Sequence, residues 1–209
     1  MERVIIFIDG SNLYHGLKEI MGEFKLDFEK FADYLCGSDR RLVNLYYYNA
    51  PLKKQYGEKE YKAQQKFFSY LERIPNFILR LGRLEMREAS FTLEEILNNF
   101  DHPLAKEIIN KVGEKRLREV KSQIKWPVEK GVDVNLAIEM VTLAYNNAYD
   151  VAILVSGDGD FAVAVRYVQG TKKKVEVSYF PDRPCWHLKK ICNNFIPLKA
   201  NILNKLKRV

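Results

Sequence analysis

With 209 residues, 47% of them apolar and 29% charged, the chain can bury a hydrophobic core in one domain of ordinary size, which excludes a disordered polymer. No apolar stretch approaches the roughly 18 residues a membrane span needs, and the N-terminal segment reaches Asp9 after only about five apolar residues, too few for an export signal, so a cytoplasmic protein is expected. A net charge of +7 favours an anionic partner through long-range attraction.

In chain order, residues 3–8 are an apolar run ending at Asp9-Gly10, the pattern of a strand buried on both faces. Ser11 or Asn12 is the expected cap of a helix to about residue 21. A second helix starts at Asp27, with Phe28, Phe31, Tyr34 and Leu35 at helical spacing, and ends at Gly37-Ser38. Residues 42–48 read as a strand, 59–73 as a helix stopped by Pro75-Asn76, and 77–84 as a third strand. The segment 88–124 is rich in Glu, Lys, Asn and Leu and poor in apolar residues, and is expected as a helical insertion without a core of its own. After Trp126-Pro127, a helix following Asp133 shows an apolar stripe of Leu136, Ala137, Met140, Val141 and Ala144. Then come a strand at 151–155, the turn Ser156-Gly157-Asp158-Gly159-Asp160, a helix at 161–169 and a strand at 174–179. Alternation of strands and helices implies an α/β fold, a three-layer, mostly parallel sheet flanked by helices. The expected domain is 1–182, with 183–209 as a basic, helical C-terminal tail packed on it or extending it.

In an open parallel sheet, ligands sit beyond the carboxyl ends of the strands, where strand order reverses. Asp9 ends the first strand, and Asp158 and Asp160 follow the strand 151–155, so all three project from one edge if those strands are neighbours; Asp133 opens the helix leading into that strand. Clustered carboxylates repel one another unless a cation compensates, so the pattern points to a hard divalent ion, Mg2+ or Mn2+, and to metal-dependent phosphoryl chemistry. Gly157 and Gly159 allow a sharp turn beside substrate, and Ser156 and Asn12 are candidates to orient the aspartates by hydrogen bonds. Each segment also has a plain explanation as a turn or a helix cap; convergence on one edge is what exceeds it.

Three motifs, Phe7-Ile8-Asp9-Gly10-Ser11-Asn12, Lys130-Gly131-Val132-Asp133-Val134 and Leu154 to Phe161, together resemble the NYN domain family of PIN-like nucleases, which includes the LabA-like proteins. The resemblance spans roughly residues 3–180. It implies a PIN-like parallel sheet, a magnesium or manganese site and cleavage of RNA, single-stranded RNA being the expected partner, with Asp9, Asp133, Asp158 and Asp160 as metal-holding catalytic positions. The family often carries an aspartate where this chain has Glu139, which is therefore a further candidate near the site, against a default reading as part of a solvated helix face. Lys130, Lys172 and Lys173 are candidate phosphate contacts, and the sequence leaves a homo-oligomer and protein partners open.

Rival readings are weaker. Gly157-x-Gly159-x-x-Ala162 matches a dinucleotide fingerprint with Glu176 about 20 residues on, but Asp158 and Asp160 would set negative charge against a pyrophosphate. An aspartyl phosphotransferase would want a second acid two residues after Asp9, where Ser11 stands. Cys36, Cys185 and Cys192 are read as buried or idle thiols, because Cys185, His187 and Cys192 fit no common zinc spacing. Tyr46, Tyr47 and Tyr48 are candidates for base stacking, although in a strand at least alternate ones belong to the core. The serious alternative to an enzyme is a non-catalytic RNA- or protein-binding regulatory module with a vestigial metal site.

Overall fold

The computed structural model describes residues 1–22, 25–99, 103–183 and 185–208. The chain runs β1 (Glu2–Asp9), α1 (Gly10–Met21), α2 (Phe28–Cys36), β2 (Arg40–Asn49), α3 (Glu58–Leu71), β3 (Phe77–Leu81), β4 (Arg83–Thr92), α4 (Leu93–Asn98), α5 (Pro103–Val112), α6 (Glu114–Glu119), β5 (Lys121–Lys130), α7 (Val132–Tyr145), β6 (Val151–Val155), α8 (Ala162–Gly170), β7 (Lys174–Tyr179), α9 (Trp186–Lys189), β8 (Asn194–Pro197) and α10 (Ala200–Leu203). These elements divide into two compact units, Met1–Arg83 with Lys130–Val209, and Leu84–Glu129.

In the larger unit six parallel strands lie in the order β3-β2-β1-β6-β7-β8. The order reverses between β1 and β6, which pair from Val4 with Val151 to Ile8 with Val155. Because β1 is central, both its faces are covered. Val4, Ile6 and Ile8 join Leu13 and Leu17 of α1, Phe28, Phe31 and Leu35 of α2, and Phe68 and Leu71 of α3 in one apolar cluster. On the opposite side Phe7 stacks on Tyr46, with ring centroids 5.5 Å apart, and meets Tyr149 edge-on, while the Tyr149 hydroxyl donates to the Met140 carbonyl of α7 at 2.7 Å. A side chain such as Phe7, with no exposed surface, contributes about 3–5 kcal/mol against its truncation to Ala. All three consecutive tyrosines are core: Tyr47 packs edge-on against Phe28, and Tyr46 and Tyr48 stack with each other on the other face. Helices on both sides of a parallel sheet leave neither set of alternate positions open to a base.

Two expectations need correcting. The stretch 88–124 is helical only between Leu93 and Glu119; its flanks belong to β4 and β5, which form a two-stranded sheet within the smaller unit. Phe91 and Thr92, an aromatic and a β-branched residue, suit a strand end, and Thr92 also closes a capping box with Glu95 that starts α4. The segment from 183 onward is more than a helical tail. β8 pairs with β7 through Phe195 and Ile196 and extends the sheet, and Leu198, Leu203 and Leu206 are buried, so the sheet does not end at residue 182.

Candidate functional site

The carboxyl ends of β1 and β6 meet where the strand order reverses. Asp9 closes β1 and is itself the N-cap of α1, its Oδ1 accepting from the Asn12 backbone N–H at 3.0 Å, so neither Ser11 nor Asn12 caps the helix. Its Oδ2 accepts from the Ser156 hydroxyl at 3.0 Å, across 147 residues of chain. The Ser156 Oγ in turn accepts from the Asp158 backbone N–H at 3.1 Å, and the Asn12 side-chain oxygen accepts from the Gly157 N–H at 3.4 Å. Asp158 caps the short 3-10 helix Gly159–Phe161 through the Asp160 N–H, at 2.9 Å. Two of these hydrogen bonds, Ser156 to Asp9 and Gly157 to Asn12, tie the loop after β6 to the start of α1, and the other three order each segment locally.

Electrostatics join Asp133 to the group. Asp9 is 5% exposed, and burial pushes its carboxyl pKa up to about 6 against the opposing help of the Asn12 and Ser156 hydrogen bonds, with the negative charges of Asp133 and Asp158 raising it further. Asp133, in the first turn of α7, is open to solvent on one side. Its pKa is raised first by partial burial and then by Asp158 and Asp160, although a helix N-terminus by itself would favour the carboxylate. Among the described residues no salt bridge reaches any of the four aspartates, and no three His, Cys, Asp or Glu side chains stand close enough together to hold an ion. The donor chemistry of the four aspartates nevertheless suits a hard divalent cation, since carboxylate oxygens are its preferred ligands and the negative charges of Asp133 and Asp158 raise the proton affinity of Asp9. Asp133 and Asp160 are exposed and able to change rotamer at small cost.

The other candidates fall in different places. Glu139 belongs to another cluster: Tyr48 donates to its Oε2 at 2.8 Å, and Arg80 grips it with both Nε and a terminal nitrogen at 2.7–3.1 Å while lying over the Tyr46 ring. Lys130 ends β5, immediately before the Gly131 cap of α7, and is partly exposed. Lys172 and Lys173 precede β7 and so lie at the amino edge of the sheet, a strand length of about 20 Å from the carboxyl edge. Lys173 is engaged there by Asp150 and Asn147. Glu176 of the apparent dinucleotide fingerprint is buried in an ion pair with Arg40 at 3.0 Å.

Sequence reasoning missed the wall beside the aspartates. A cleft of about 480 Å³ is lined by Asn12, Asp158 and Gly159 together with Arg183, Trp186 and His187, the last packed against Gly159. Arg183 forks onto Glu19 at 2.7 and 2.8 Å, and its pKa is raised by that pairing and, more weakly, by the charge of Asp9. The available signal was an exposed aromatic in a basic stretch, Trp186 to Lys190, with no spacing that links it to the aspartates.

A six-stranded parallel sheet between helical layers, with acids at its reversal point, defines the three-layer α/β architecture of PIN-like domains, and the expected fold class is borne out. The chain belongs to the NYN domain family, whose model matches residues 3–199, as the motifs implied. NYN domains are a PIN-like nuclease family, so the chain carries a ribonuclease-like domain. The crystal structure of a protein of unknown function from Vibrio parahaemolyticus has the same fold, with a TM-score of 0.61 at 21% identity, covering 95% of this chain and 93% of that one. No match to a curated protein is found. Among the described residues no helix is long and apolar enough to cross a membrane.

Proposed function

We propose that this protein hydrolyses phosphodiester bonds of single-stranded RNA, with Mg2+ or Mn2+ held by Asp9, Asp133, Asp158 and Asp160. The observation that carries the reading is Asp9, a carboxylate buried at the reversal point, with its pKa pushed to about 6 and further negative charge set around it. Such an arrangement opposes ionisation of Asp9 in the absence of a cation. A bound divalent ion supplies Lewis acidity, lowering the pKa of water and offsetting charge that gathers on a phosphoryl group.

The chain's own residues supply position. Ser156 holds Asp9 with its proton and the Asp158 backbone amide with its lone pair, so one hydroxyl positions the acid that ends β1 and the backbone of the acid in the loop after β6. Asn12 holds the Gly157 amide and keeps the loop closed over the end of β1. Gly157 adds no side chain to the cleft, and the absent Cβ of Gly159 makes room for the His187 ring that packs on it.

The test uses purified protein and labelled single-stranded RNA. Cleavage with Mn2+ that stops in EDTA and in Asp158→Asn, at an undiminished melting temperature, is the expected result. RNA bound equally well in EDTA and never cut would replace the enzyme by a non-catalytic binding module.

A further inference from the structure

The cleft beside the aspartates has a composition that selects among the parts of a nucleotide. Its wall includes Trp186, 55% exposed, on the four-residue helix α9, with the Lys190 ammonium 5.1 Å from the ring centroid. His187 stands against Gly159, where an added Cβ would come within 3.1 Å of its ring. Asn12 brings an amide and Gly159 a backbone without a side chain. Charge in the cleft is close to balanced: Arg183 is engaged by Glu19, and Asp158 contributes a carboxylate to the same lining. Among the cleft-lining residues the one guanidinium, Arg183, is engaged by Glu19, and a phosphate would meet the Asp158 charge; a flat, uncharged, hydrogen-bonding ring would meet an amide and the part of the Trp186 ring left exposed beside His187, whose ring centroid lies 3.4 Å away. At about 480 Å³ the space falls within the range of small-ligand sites.

We propose that this cleft seats one unpaired nucleobase of the RNA, stacked on Trp186, so that the adjoining phosphodiester lies over the aspartates. The subsite deepens the nuclease reading above and rests on it for the identity of the ligand as RNA. It also explains a restriction to single strands, because a base in a duplex is stacked and paired and cannot turn outward into a wall cleft. Lys189 and Lys190, on and directly after α9, place positive charge where the backbone leaving the subsite would run.

The test measures binding without turnover. Asp9→Asn protein, in which no cleft-lining residue is altered, is titrated with Mn2+ into fluorescein-labelled single-stranded oligoribonucleotides, either intact or with one abasic site moved along the strand. An added Trp186→Ala change is expected to weaken binding of the intact strand about tenfold, the order of one lost base–aromatic stack. Trp186→Phe should keep most of the affinity. One abasic position should weaken binding by a similar factor in the parent and by nothing in the Ala variant. Equal affinities for intact and abasic strands in the parent, or no RNA binding at all, would overturn the subsite. Wild-type protein that cuts RNA while the abasic scan is flat would overturn the subsite alone; base dependence at one position with no cutting by wild type would sustain it and remove the nuclease reading.

Discussion

Aspartates sit at both edges of the central sheet, and their surroundings are opposite. At the amino edge, Asp150 precedes β6 and accepts from Arg3 Nε at 3.1 Å, a terminal Arg3 nitrogen at 2.9 Å and the Arg3 backbone N–H at 2.9 Å, with Lys173 at 3.3 Å. Those contacts, the Arg3 side chain first, hold its carboxyl far below the usual range. At the carboxyl edge Asp9 is buried, held only by neutral donors, and surrounded by Asp133 and Asp158, and its pKa moves the other way. One edge has its charges compensated by the chain, and at the other no cationic side chain among the described residues pairs with Asp9. The same residue type therefore stabilises the fold at one end of the strands and opposes it at the other, a contrast that supports the proposed site at the carboxyl edge.

The largest expected effect lies at the uncompensated edge. Asp133→Asn should lower RNA cleavage by about a thousandfold, the loss typical of removing one electrostatic contributor to a transition state; a variant within a factor of three of wild type would remove Asp133 from the site. The next is thermodynamic and is read in EDTA. The Asp9 pKa is raised in the fold, so the folded protein binds the proton more tightly; stability from this group is present below about pH 4 and is lost as pH rises through about 6. Asp9→Asn should then stabilise the metal-free protein by up to about 3 kcal/mol at pH 8 and by little at pH 4, measured by chemical denaturation. Equal effects at both pH values would mean that charge is not the cause.

Ser156→Ala removes the hydroxyl that links Asp9 to Asp158. A fall of about tenfold in activity or in Mn2+ affinity is expected, because an orienting partner is lost and no carboxylate is. The smallest effect belongs to the compensated edge. Asp150→Asn should lower the melting temperature at neutral pH by a few degrees without touching cleavage, its partly exposed ion pairs being screened by solvent. With a depressed pKa, the Asp150 contribution is present above about pH 4 and fades as pH falls below it, so the difference between variant and wild type should close in acid. A loss of RNA cleavage in Asp150→Asn would break the contrast between the two edges.

Local pattern determined much of this. The apolar run of β1, the acid at its end, the paired acids around Gly159 and the Lys130-Gly131-Val132-Asp133 segment were legible because each is a short-range signal: burial on both faces, a turn, a helix start. Strand alternation gave the parallel sheet, and the three motifs gave the family. Tertiary structure alone decided the rest, because contacts between residues far apart in sequence leave no mark in local periodicity. Strand order set β1 beside β6 and so brought Ser156 to Asp9. Burial on a second face withdrew all three tyrosines and drew Glu139 toward Tyr48 and Arg80. The return of the C-terminal segment to the sheet edge placed β8 in the fold and stood Trp186 and His187 in one cleft with Asp158 and Asn12, a proximity that joins the two ends of the chain and is fixed by packing.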